Sequence, residues 1–130
     1  MNVRDLDGKL VKWNPQGAAS SDTRAKSSLH ERARELLKSK YPTMQFIEEV
    51  KIPVRWGTTL YLDFYCPLKK VAYEVHGEQH YKMIPHFHSN VQGFIKQKKR
   101  DGEKERWCEL NDITLVKLAF NELDGWEEQI

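Results

Sequence analysis

The chain has 130 residues, 39% hydrophobic and 31% charged, with four Trp, five Tyr and five Phe; this supports one domain with a real core and excludes a disordered chain. Cys66 and Cys108 are too few and too far apart for a disulfide scaffold or a zinc ribbon and read as core thiols of a reducing compartment. No apolar run is long enough to span a bilayer, residues 1–13 are too polar for a signal peptide, and the net charge of +2 is too small to name a partner.

Residues 2–13 carry Val3, Leu6, Leu10, Val11 and Trp13 around Asp7-Gly8, the pattern of a short hairpin or an extended arm. Residues 14–23 are a loop by composition, ending in Ser and Asp residues suited to cap a helix. Over 24–40, Leu29, Ala33, Leu36 and Leu37 recur at helical spacing until Tyr41-Pro42 ends the run. Strands are predicted at 45–52, 58–66 and 71–76, and the short connections between them imply an antiparallel meander. A longer helix follows at 88–110 with Phe94, Trp107 and Leu110, weakened at Gly93 and Gly102 where it can break. Residues 113–118 form an apolar strand, and 121–129 close the chain with a helical turn or two. This order implies an α+β fold of α/β/α layering, with a mixed, mostly antiparallel central sheet between flanking helices. The expected organisation is an N-terminal arm over 1–23 and one compact domain over 24–130.

Strand alternation puts Leu60, Leu62, Phe64 and Cys66 on one face of the second strand and Tyr61, Asp63 and Tyr65 on the other. In the third strand Val71, Tyr73 and Val75 oppose Ala72, Glu74 and His76, so Asp63 and Glu74 meet on one patch. Two neighbouring carboxylates persist only with a shared proton, a basic partner or a cation. Magnesium is the natural ion for oxygen donors; pairing with Lys or Arg is the competing reading. Gly77 allows a sharp turn that brings His80 over the carboxylates, where an imidazole suits general acid–base work. His76 and His80 also have the spacing of a helical zinc motif, with His86 and His88 as further donors, although the preceding strand and Gly77 argue against a helix there. In the first strand Phe46, Val50 and Ile52 define one face and Ile47, Glu49 and Lys51 the other. Glu49 is therefore expected beside Asp63, unless a bulge exchanges it with Glu48.

Lys96, Lys98, Lys99, Arg100, Lys104 and Arg106 form a local basic run interrupted by Asp101, Glu103 and Glu105. Such a run can follow a nucleic-acid backbone or be a solvated helix with i,i+4 pairs. The loop Ile84-Pro85-His86-Phe87-His88 can stack on bases or pack the second helix.

The segments YLDFYCP, VAYEVHGEQHY and KKRD, taken together, resemble the very-short-patch-repair-like branch of the PD-(D/E)xK nuclease superfamily, and are similar to the phage homing endonucleases described by an EDxHD motif, over residues 27–118. The resemblance implies a restriction-endonuclease-like fold and a Mg²⁺-dependent endonuclease, with Mn²⁺ able to substitute, hydrolysing DNA phosphodiester bonds. It makes Asp63 the metal-binding Asp and Glu74 the acid one strand later, with the Val75 carbonyl as a further ligand. His80 matches the motif His and Asp101 its final Asp. Two departures stand out. His76 occupies the position where the signature has a Lys, and the family's helix Glu falls on His30, so His30, or Glu49 from the adjacent strand, is expected to fill that role. The missing Lys motivates an alternative, a weak or inactive nucleic-acid-binding module on the same fold, and RNA is the competing substrate. The implied partner is DNA and not a membrane, with the chain acting as a monomer or homodimer, with or without a separate DNA-reading partner. The implied setting is a phage or bacterial cytoplasm.

Overall fold

The computed structural model describes residues 1–16, 27–84 and 91–130. The predicted hairpin is present as β1 (Asn2–Arg4) and β2 (Leu10–Lys12), paired antiparallel. Gly8 sits at φ 86 in the turn, a conformation that favours glycine. The helix α1 (Ser28–Lys40) starts later than residue 24, and its cap is Ser27, whose hydroxyl accepts the His30 N–H at 3.1 Å. The rest of the predicted start lies outside the described residues.

Next come β3 (Ile47–Arg55), β4 (Thr58–Cys66) and β5 (Val71–His76), then α2 (Val91–Leu110), β6 (Thr114–Ala119) and a short α3 (Trp126–Gln129). The main sheet has the order β3-β4-β5-β6. Its first three strands are the antiparallel meander, and β6 lies parallel to β5. A parallel neighbour needs a crossover, and α2 lies within it. Gly93 and Gly102 do not break α2, which is continuous over 20 residues; they weaken it by about 1 kcal/mol each relative to Ala. β3 runs through Pro53, where a loop was expected, because an edge strand tolerates a residue without an N–H.

Two cores flank the sheet. On one face Ala33 and Leu37 of α1 pack with Phe64, Tyr73, Leu118 and Trp126. On the other Trp107 and Cys108 of α2 pack with Val50, Ile52, Leu62 and Tyr65, together with Val3 and Trp13 of the hairpin. The layering is α/β/α, and the N-terminal hairpin belongs to the same body: Trp13 meets Trp107 edge-on at 5.1 Å and donates to the Lys51 carbonyl at 2.8 Å. Both thiols are buried, and burial pushes Cys108 up to about 12. Leu110, one of the apolar residues marking the predicted helix, is exposed. No helix among the described residues is long and apolar enough to cross a membrane.

Strict alternation fails at one level of the sheet, and the failure makes the site. Ile47 shares a core with Val50 and Ile52, and Tyr65 shares it with Leu60 and Leu62, whereas Phe46 and Phe64 belong to the opposite core. The facing of both strands therefore reverses, at Glu49 in β3 and Asp63 in β4, while the register stays in step from Glu48↔Phe64 to Val50↔Leu62. Glu49 makes its turn at φ 52, a left-handed conformation that costs about 1–2 kcal/mol in a residue with a Cβ. Beyond this level β4 and β5 part: their pairing stops at Phe64↔Tyr73, and the Asp63 carboxylate accepts the Val75 N–H at 2.8 Å where a strand carbonyl would otherwise do so.

Candidate active site

The parting of the strands opens a cleft of about 650 Å³ lined by His30, Glu49, Asp63, Glu74, His80 and Lys104 among others. The first turn of α1 reaches it from one layer and the middle of α2 from the other. Asp63, Glu74, His80, His30 and Glu49, predicted from five separate places in the sequence, thus come together, and Val75 lines the same wall. Of the two adjacent acids in β3, Glu49 is the one in the cleft.

One nitrogen of His30 and one oxygen each of Glu49 and Asp63 lie within 4.8 Å of one another. His30 is buried and stacks on Phe64 with ring centroids 4.5 Å apart. Its Nε2 is 2.8 Å from Glu48 Oε1, and Arg34 grips the same carboxylate through two bonds of 2.9 and 2.8 Å. Burial works against the charge on Glu48, but the bonds from Arg34 and His30 outweigh it and hold the carboxyl below its ordinary value. Sequence reading reached His30 and Glu49 but not this support, whose signal is the i,i+4 spacing of His30 and Arg34 on α1.

Glu74 is almost fully buried, and the basic partner held in reserve by the sequence reading exists: Lys104 Nζ stands 3.1 Å from Glu74 Oε1. Lys104 is thereby corrected from a surface phosphate contact to a cleft residue. The two form a buried ion pair. Burial first, and the Asp63 charge second, push the Glu74 carboxyl well above its ordinary value despite Lys104. Burial would lower the Lys104 pKa, but the charges of Glu74 and Asp63 outweigh it and raise it. Asp63 lies within side-chain hydrogen-bond reach of Glu74, and it also forms a donor set with His30 and Glu49, one atom of each within 4.8 Å of the others; from Val75 it is the N–H, not the carbonyl, that touches Asp63. The helical spacing of Gln97, Asp101, Lys104 and Cys108, four, three and four apart, puts them on one stripe of α2 and could have revealed Lys104.

His80 sits on a single 3-10 turn over Glu78–His80. Gly77 precedes it at φ −73, ψ 179, extended backbone that any residue adopts, so the turn does not depend on the glycine as expected. His80 Nδ1 is 2.9 Å from Asp101 Oδ2, and Gln97 donates to Asp101 Oδ1 at 3.2 Å. Burial works to raise the Asp101 carboxyl, but the hydrogen bond and charge of His80 outweigh it and hold it below its ordinary value. His76 stacks on His80 with centroids 4.1 Å apart and planes 4° from parallel. Burial, and then the His80 charge, push His76 down to about 4. The two rings and Asp101 lie within 4.8 Å, yet an ion binds an imidazole nitrogen in the plane of its ring, and parallel planes share no point. The stacked pair is thus poorly arranged for the zinc alternative. His86, Phe87 and His88 lie outside the described residues.

The basic run does not form one row. At about 100° per residue, Lys98 and Arg100 flank the Gln97/Asp101/Lys104 stripe and Lys96 lies beyond Arg100, whereas Lys99 and Arg106 fall on the far side of α2. Lys96, Lys98, Lys99, Arg100 and Arg106 are exposed. Glu103 is buried and paired with Arg55 of β3, with Lys99 Nζ at 4.0 Å.

Comparison with known proteins finds relatives whose names state no function. The chain is 43% identical over 79 residues to "Uncharacterized protein 307L" of Invertebrate iridescent virus 6, covering 58% of this chain and 40% of that protein. It is 31% identical over 64 residues to "Uncharacterized protein 033L" of Invertebrate iridescent virus 3, covering 49% and 33%. The chain thus spans two-fifths or less of the length of each, and these relatives come from invertebrate viruses rather than from a phage or a bacterium. No family model and no solved structure matches.

Proposed function

We propose that the chain is a metal-dependent endonuclease that hydrolyses DNA phosphodiester bonds, on a restriction-endonuclease-like fold of the very-short-patch-repair-like type. The observation that carries this reading is the convergence, in one cleft, of three carboxylates, an ammonium group and a histidine held by an aspartate.

Asp63, with Glu49 or Glu74 beside it, would hold a divalent cation such as Mg²⁺ or Mn²⁺, and the oxygen donors gathered there suit such an ion. When bound, the ion offsets phosphate charge and lowers the pKa of its bound water. Lys104 places a fixed positive charge in the same cleft, where a phosphate oxygen gains charge during attack. Asp101 accepts the Nδ1 proton of His80 and so leaves Nε2 with the lone pair, ready to take a proton from the attacking water. Gln97 steadies that pair. Water is the nucleophile, and no covalent enzyme intermediate forms. Lys98 and Arg100, beside the cleft-facing stripe, are the phosphate contacts.

The test is digestion of supercoiled plasmid and, separately, of structured RNA in Mg²⁺, Mn²⁺ or EDTA. Ion-dependent conversion of plasmid to nicked circles supports the reading, since one site cuts one strand at a time. DNA binding without cleavage under every ion would replace it with a binding module, and cleavage of RNA alone would move the substrate class.

A further inference from the structure

His30, Glu49 and Asp63 form a donor set of a particular kind. Glu49 and Asp63 offer oxygen, His30 offers nitrogen, and one atom of each lies within 4.8 Å of the other two. With His30 Nε2 engaged by Glu48 at 2.8 Å, Nδ1 is the nitrogen left for a ligand. A histidine whose far nitrogen is held by a carboxylate is oriented and made more basic, as metal-binding histidines are. Here the carboxylate is itself fixed by two bonds from Arg34, and the ring is pinned against Phe64. Three side chains are thus devoted to the aim of one imidazole at the mouth of a carboxylate pair. Glu74, though within reach of Asp63, is engaged by Lys104 at 3.1 Å.

Resting on the nuclease reading above, we infer that His30, Glu49 and Asp63 are the ligands of the functional cation, with Glu48 and Arg34 as positioning residues, and that the ion is a divalent first-row transition metal rather than Mg²⁺. Magnesium is bound through oxygen and keeps several waters, whereas an imidazole favours first-row ions. Mn²⁺ is the usable probe among these ions, because its electron spin reports its ligands directly.

The experiment titrates Mn²⁺ into the whole chain, followed by loss of the free-ion electron paramagnetic resonance signal, with Mg²⁺ competition, and reads nitrogen coupling to the bound ion by spin-echo modulation. One tight Mn²⁺ per chain is expected, showing nitrogen coupling and displaced by Mg²⁺ only in large excess. His30→Ala should lose the coupling and the preference for Mn²⁺. Because His30 is buried and that variant can fail to fold, Glu48→Gln is the second probe: it should weaken Mn²⁺ by about 10–100-fold, the usual effect of disturbing a ligand's support, and weaken Mg²⁺ far less. A bound Mn²⁺ without nitrogen coupling, or no Mn²⁺ binding, overturns the inference. If oxygen-only Mn²⁺ still supports DNA cleavage, this ligand set falls and the nuclease reading stands; nitrogen-coupled Mn²⁺ without cleavage reverses that outcome.

Discussion

Replacing Lys104 with Met tests whether the buried ion pair holds the two halves of the cleft together. Glu74 and Lys104 have side chains only 3% and 15% exposed, with the charged atoms 3.1 Å apart. Methionine keeps the apolar length of the side chain but leaves Glu74 buried without a counter-charge and still facing Asp63. Breaking a buried pair at one end costs about 3–5 kcal/mol, a large share of the roughly 5–15 kcal/mol that stabilises a domain. With a urea m-value of about 2 kcal/mol per molar, the unfolding midpoint should fall by about 2 M. Adding Glu74→Gln removes the stranded charge and should recover most of the loss. The pH dependence carries a sign. Glu74 is raised above its ordinary 4.5, and losing Lys104 raises it further. A raised carboxyl contributes stability that is full below the unfolded value and lost as pH rises through the folded one. Lys104→Met should therefore approach wild type as the pH is lowered. Urea unfolding followed by tryptophan fluorescence measures all of this. A single variant within about 0.5 M of wild type at pH 7, about 1 kcal/mol at that slope, or a double variant no better than the single one, would refute the pair.

Further expectations follow from the same geometry. His80→Ala should slow cleavage by about 10²–10⁴-fold, the usual share of a general base, with Mn²⁺ affinity unchanged; a parallel loss of ion binding would make His80 a ligand instead. Lys98→Ala with Arg100→Ala should weaken DNA binding and flatten log K against log[salt] by about 0.9 for each phosphate no longer neutralised, while Lys99→Ala with Arg106→Ala on the far side of α2 should leave the slope alone; equal effects would mean that DNA does not lie along the cleft side. His76, depressed to about 4, keeps its full contribution above pH 6.5 and loses it as pH falls toward 4, about 3 kcal/mol over that window. His76→Gln should flatten this part of the stability profile in urea titrations, and an undiminished slope would assign the loss to other groups.

The period of the apolar residues was enough to place α1, the meander and β6, because each buries a face against a neighbour in the ordinary way. Asp63, Glu74 and His80 were legible for a related reason: ionisable residues inside apolar strands, or just beyond them, are costly unless they serve a site; Asp101, in the middle of α2, was reached only through the motif resemblance. Pattern reading failed where local geometry departs from its period. Neither Phe64-Tyr65 nor Phe46-Ile47 announces that the strand reverses there, since all four residues suit either core. The reversal depends on Glu49 accepting a left-handed backbone opposite Asp63, a tertiary outcome that overrides alternation. Lys104 was misplaced because a run of basic residues was read by composition instead of by helical angle. The Glu48–His30–Arg34 cluster joins a helix to the edge strand β3, a contact between separate elements that neither periodicity expresses.

The most direct measurement of the central claim is single-turnover cleavage of a labelled DNA duplex by wild type and Asp63→Asn, each with saturating Mn²⁺ and each checked for fold and for DNA affinity. Asp63 ties β4 to β5 through the Val75 N–H and is the carboxylate common to every ion-binding arrangement in the cleft. An Asn oxygen can keep that hydrogen bond while removing the charge. The account predicts that Asp63→Asn folds, binds DNA as well as or better than wild type, and cuts at least a hundredfold more slowly, about 2.7 kcal/mol of lost transition-state stabilisation. Cleavage within a few-fold of wild type would contradict it.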